Sequence, residues 1–266
     1  MPFPDSPRVV YQRNPLDQVI CQLRFPPILK IDTQVPFEFQ DRIRSDYPLY
    51  SEEREIPAEI PSEVLSQLPP GVVQSFPLPA TNRVNYRFSS PDEKWAVNLT
   101  SSFLALSTKD YDRWEKFQKH MELPFKSLME VYNPAFITRV GLRYVNVIDR
   151  NKLDLKGVGW SELIQPYIAG VLAAPGIETS TIQNTFCTDD IRLTDGESSV
   201  RIAHGLATSK ITGEVGYLLD CDFYLQKYME AGDALSKLDS FNQSGRRLFR
   251  WCITDRLHES MHPEPI

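Results

Sequence analysis

Three arginines are the residues of this sequence best suited to recognition chemistry. Arg24 lies in CQLRF, Arg139 and Arg143 lie in FITRVGLRYVNVIDR, and Gln22 and Asn146 are close to them in the chain. A guanidinium presents a planar fork of donors that matches a carboxylate or phosphate with two parallel hydrogen bonds, so this set could hold a small anionic ligand. The same charges could instead be consumed inside a sheet. Asp220 and Asp222 share one face of a later strand and are the expected partners in that case, and this structural role is the preferred reading.

The second candidate chemistry is metal binding. HESMH places His258 and His262 four residues apart with Glu259 beside the first, a literal match to the H-E-x-x-H pattern of zinc hydrolases. A catalytic zinc needs a third ligand, and His120, His204 or an acidic residue would have to fold back to supply it. Pro263 follows at once, so the helix carrying both imidazoles would fray there, which favours solvated side chains. Asp189 and Asp190 read as a solvated hairpin cap, and Arg246, Arg247, Arg250 and Trp251 read as the outer face of a helix that could meet a partner or nucleic acid. Phosphate-cradling glycine loops and the GxSxG elbow are missing from the sequence, so no catalytic residue is assigned and no cofactor is expected.

These residues need strands and helices to position them. From Phe136 to Arg150 the chain alternates: Thr138, Val140, Leu142, Tyr144, Asn146 and Ile148 share one face, and Arg139, Gly141, Arg143, Val145 and Val147 share the other. Leu16 to Phe25 repeats the pattern before Pro26 and Pro27 end it. A short helix is expected over Val35 to Tyr47. Seven prolines between Pro48 and Pro79 argue for an irregular excursion, with a short helix near Ser62 to Gln67. Strands at Arg83 to Phe88, Trp95 to Leu99 and Phe103 to Ser107 form a meander, and Trp114, Phe117, Met121, Phe125 and Leu128 give the next helix its apolar face, with a kink or break at Pro124. In the second half a helix is expected over Trp160 to Leu172, and strands over Thr181 to Cys187, Asp190 to Thr194, Ser199 to His204 and Glu214 to Phe223. A long helix carrying an apolar stripe from Leu238 to Leu257 follows.

Both halves, 1–134 and 135–266, therefore run strand, helix, antiparallel meander, long helix. The expected fold is α+β with two similar halves packed as one unit, in which Arg143 corresponds to Arg24 at an offset of 119 residues. At 266 residues, 41% hydrophobic and 11% aromatic, the chain can bury a full core. A formal charge of -6 argues against nucleic-acid binding through the overall field. Cys21, Cys187, Cys221 and Cys252 lack CxxC spacing and read as buried free thiols. The start shows no secretory leader and no run is apolar enough to span a membrane, so a cytoplasmic bacterial protein is expected, with oligomeric state open.

NPLDQVICQLRFPPILKI, RVGLRYVNVID and LDSFNQSGRRLFRWCITDRLHESM together resemble an uncharacterised, sporadically distributed bacterial protein family of about this length. The resemblance implies patchy inheritance and a link to defence or mobile loci, and it implies no site residue. The functional expectation is a non-catalytic binding or regulatory module for a partner protein or a small anionic ligand. The alternative is an enzyme, either a metal-dependent hydrolase using His258, Glu259 and His262 or a nucleic-acid-processing protein using the arginines.

Overall fold

The alternation around Tyr144 sets the architecture. In the computed structural model, which describes residues 2–54, 84–209 and 213–266, it forms a strand over Arg139–Ile148 next to the middle strand of a nine-stranded, wholly antiparallel sheet. In chain order the strands are β1 (Val9–Tyr11), β2 (Leu16–Arg24), β3 (Leu49–Arg54), β4 (Val84–Ser89), β5 (Trp95–Leu99), β6 (Phe103–Thr108), β7 (Arg139–Ile148), β8 (Phe186–Arg192), β9 (Ser199–Thr208), β10 (Val215–Leu225) and β11 (Pro263–Pro265). The large sheet runs β3-β4-β5-β6-β2-β7-β10-β9-β8, and β1 pairs with β11 in a separate two-stranded ribbon. With its helices the fold is α+β.

One row of cross-strand partners shows which face is core. Trp95 opposes Thr108, Thr108 opposes Val19, Val19 opposes Tyr144, and Tyr144 opposes Cys221, all of them buried. Both long helices lie on this face. In α3 (Trp114–Val131) Phe117 packs on Trp95 with ring centroids 5.7 Å apart, and in α5 (Ala231–Cys252) Phe241 packs on Phe223 at 6.1 Å. The apolar residues of each helix recur at three- and four-residue steps, so one stripe is buried and the rest of the helix surface stays polar. The shorter helices are α1 (Leu29–Thr33), α2 (Phe37–Ile43), α4 (Pro166–Ala169) and α6 (Asp255–Ser260).

Several expected elements differ, each for a local reason. Helix α3 runs through Pro124 without a break. The helix expected over 160–172 is three short turns: Pro166 takes the first position of α4, which it favours, and Gly170 takes a positive φ of 56° that ends it. Asp189 and Asp190 lie inside β8 rather than at a turn: Asp189 meets His204 and Asp190 pairs with Arg201. The last helix stops at Cys252, where Ile253 turns extended and bridges Ile164. Thr254 then accepts a hydrogen bond from the Leu257 amide and starts α6 as a new helix. Strand β3, opening the proline-bearing segment, was not expected. The helix expected at Ser62 to Gln67, and Arg83 at the start of a predicted strand, lie outside the described residues. Cys21, Cys221 and Cys252 are buried free thiols, but Cys187 is exposed on the edge strand.

Candidate functional site

The three arginines of the sequence reading lie on the sheet face away from α3 and α5. Arg143 places Nε and Nη2 2.7 and 2.5 Å from the two oxygens of Asp220, a two-point contact. Arg139 donates to Asp222 at 2.8 Å and to Gln22 at 3.2 Å, over the bare Cα of Gly141, where a Cβ would collide with its guanidinium. Arg24 donates its Nε to the same Gln22 oxygen at 2.9 Å. The register pairs Arg24 with Arg139, and Arg143 with Ile20. The Asp220 contact holds the Arg143 guanidinium above its ordinary value, while burial raises the Asp222 carboxyl against the opposing pull of Arg139 and Arg143. Arg139 and Arg143 are thus matched by carboxylates one strand away.

Asn146, the fifth residue of that set, lies on the other face. Its amide donates to the Leu219 carbonyl at 3.2 Å, next to an irregularity in β2 between Leu16 and Gln18. An irregularity of this kind re-aims the strand. Leu16 and Asn146 here line a cavity of about 150 Å³ between the sheet, α5, the first turn of α3 and the N-terminal strap, residues 6–11. That volume is on the order of one that encloses a single benzene ring.

The surface that the cavity exposes is mostly apolar and aromatic, although many of its lining residues carry polar groups. Tyr11, Tyr144 and Phe249 give it rings, with Tyr11 and Phe249 edge to face at 5.8 Å. The Tyr144 hydroxyl donates to Asn242 of α5 at 3.0 Å, and the Tyr111 and Tyr144 hydroxyls interact, both raised by burial. Gly245 permits this approach, because a Cβ there would sit 2.8 Å from Cε2 of Tyr144. The next residue of α5 is Arg246. Among the described residues it forms no ion pair, and its buried Nε has no hydrogen-bond partner. Burial first, then the neighbouring charges of Arg8 and Arg247, hold its guanidinium below the ordinary arginine value.

The cations around Arg246 each have a carboxylate partner, although the buried Nε of Arg247, like that of Arg246, has no hydrogen-bond partner. Arg8 holds Glu115 through Nη2 at 2.7 and 2.8 Å, Arg113 meets Asp112 at 3.3 Å, Arg247 meets Asp5 at 2.7 Å, and Arg250 pairs with Asp255. Arg246 is left as a cation lining the cavity with no carboxylate partner among the described residues.

The histidines are dispersed. His258 lines the cavity and places Nδ1 2.8 Å from the Tyr11 hydroxyl; burial, then Arg250, depresses its pKa below the usual 6.5. Helix α6 ends at Ser260 and His262 adopts a left-handed φ of 52°, so the two imidazoles of HESMH do not share one helical face. His120 stacks on Trp95 at 3.8 Å, and His204 lies between Tyr217 and Asp189 at 2.9 and 3.1 Å. Among the described residues no group of three His, Cys, Asp or Glu could hold a metal ion. No helix there is long and apolar enough to cross a membrane.

Neither the protein-family models nor the curated proteins compared with this chain include a match to it.

The alternating pattern could reveal the arginines of β2 and β7, because alternation is local. Arg246 was legible only as part of a basic run on a helix. The available signal was its position beside Gly245, a small residue within the apolar stripe that lets a sheet side chain reach the helix backbone.

Proposed function

We propose that this protein is a non-catalytic binding module for a small anionic molecule with an apolar body, held in the cavity beneath α5. One observation carries the reading: Arg246 presents an unmatched charge to an aromatic-walled cavity while each cation around it has its own carboxylate. Leaving a half-buried charge without a partner costs stability, and an anionic ligand would return that energy as affinity. Titration calorimetry with benzoate, benzenesulfonate and phenyl phosphate, against neutral benzamide, tests it. At least one anion should bind more tightly than benzamide, and Arg246→Met should weaken that binding by about tenfold or more, the scale of one charge-assisted contact. Equal binding of benzamide, or anion binding that survives Arg246→Met, would overturn the reading.

The same reading includes a duplicated architecture. Leu23 pairs with Leu104, and adding 119 gives Leu142 and Phe223, which also pair; Cys21 with Leu106 becomes Val140 with Leu225 in the same way. Trp114, Met121 and Leu128 of α3 and Ala234, Phe241 and Leu248 of α5 are buried at a common offset of 120. These registers support two related halves of about 1–134 and 135–266. A cytoplasmic setting is supported by four unpaired thiols.

A further inference from the structure

The charge count around the cavity narrows the ligand. Arg8 and Arg247 flank Arg246, yet Glu115 and Asp5 already balance them, and Arg113 and Arg250 are balanced by Asp112 and Asp255. One ligand charge can pair with Arg246, the cation left without a carboxylate among the described residues. A second would be left without a cation against Tyr144, Phe249 and Cys221, and an unpaired charge next to an apolar wall is strongly disfavoured. A single guanidinium fork can hold two oxygens of either a carboxylate or a phosphate, so the preference rests on ligand charge and not on the fork. The volume of about 150 Å³ leaves room for a body near the size of one ring.

We propose that the ligand is a ring-sized monocarboxylic acid, its carboxylate on the Arg246 fork and its apolar body among Tyr11, Tyr144 and Phe249. This rests on the reading of the cavity as an anion site and adds the charge and shape of the anion. Arg8 then acts as a specificity-determining residue through Glu115: the pair leaves Arg246 as the unmatched cation, and removing the carboxylate would free a second one.

The test compares benzoate with phenyl phosphate at pH 7.5 on the wild-type chain, Arg246→Met and Glu115→Gln, by calorimetry. Wild-type protein should bind benzoate at least about tenfold more tightly than phenyl phosphate. Glu115→Gln should tighten phenyl phosphate by about tenfold and benzoate by less, closing the gap, and its unfolding midpoint reports whether the fold is intact. Phenyl phosphate bound as tightly as benzoate or more so, with both lost in Arg246→Met, would overturn the monocarboxylate assignment and leave the anion site standing. Binding of neither probe, or binding indifferent to Arg246→Met, would overturn both. If Glu115→Gln fails to fold, the order of the two probes on the wild-type chain decides alone.

Discussion

On one face of β7, Arg139 and Arg143 reach Asp222 and Asp220 at 2.8 and 2.5 Å; across the strand, the cavity beside Tyr144 faces Arg246, which no carboxylate meets among the described residues. The two regions are separated by one sheet and use the same side chain for opposite ends. In the first, the guanidinium groups complete the fold, locking β7 to β10 and occupying the space above Gly141. In the second, the Arg246 guanidinium has no carboxylate partner among the described residues, and ligand binding is the role proposed for its charge. Arginine near a sheet therefore signals function only after its carboxylates have been counted.

The largest effect that separates the two regions should come from Arg143→Leu. It strands Asp220, whose side chain is 13% exposed, next to Asp222; because the Arg143 side chain is 46% exposed, the loss should be about 2 kcal/mol rather than the larger figure of a fully buried pair. Urea unfolding measures it, and benzoate affinity should stay within about twofold of wild type if the two faces are independent. A smaller loss of about 1 kcal/mol is expected for Gly245→Ala, since the new Cβ pushes on the Tyr144 ring while the helix gains propensity. This change should also weaken benzoate, because the ring it displaces is a wall of the cavity.

Arg246→Met should leave stability unchanged or raise it by up to about 1 kcal/mol, because it removes a charge that pays desolvation without a partner. Destabilisation like that of Arg143→Leu would mean that Arg246 is structural and would erase the contrast. The smallest effect is a pH dependence. The His258 pKa is depressed in the folded state, so the unfolded chain binds more protons as acid is added; stability is present above the unfolded value near 6.5 and is lost as pH falls below it. Thermal unfolding between pH 7.5 and 5 should show this decline, and His258→Gln should flatten part of it. His120, depressed by burial against Trp95, supplies a second contribution that the variant leaves in place.

Much of the fold was legible because its signals are local. The two-residue period of β7 specified both its faces, including which side would carry Arg139 and Arg143, and Asp220 and Asp222 were readable as partners from their own alternation. The helix break at Ile253 was not legible, since an unbroken apolar stripe crosses it and the competing interaction, a bridge to Ile164, comes from about 90 residues away. The cavity was hidden for the same reason. It takes Arg8 from the strap, Tyr111 before α3, Asn146 from β7 and Arg246 from α5, segments that no sequence period connects. The ribbon of β1 and β11 pairs the strap residues Val9, Val10 and Tyr11 with Pro265, Glu264 and Pro263, far away in the chain.

A ligand bound as proposed meets Arg246 and leaves the sheet arginines untouched. Nitrogen-detected or proton-correlated NMR of the arginine Nε–H groups, assigned with Arg246→Met and Arg143→Leu and followed during titration with benzoate, tests it directly. The Arg246 resonance should move saturably while those of Arg139 and Arg143 stay in place. Movement of Arg139 or Arg143 with Arg246 stationary would place the ligand on the other face and contradict the account.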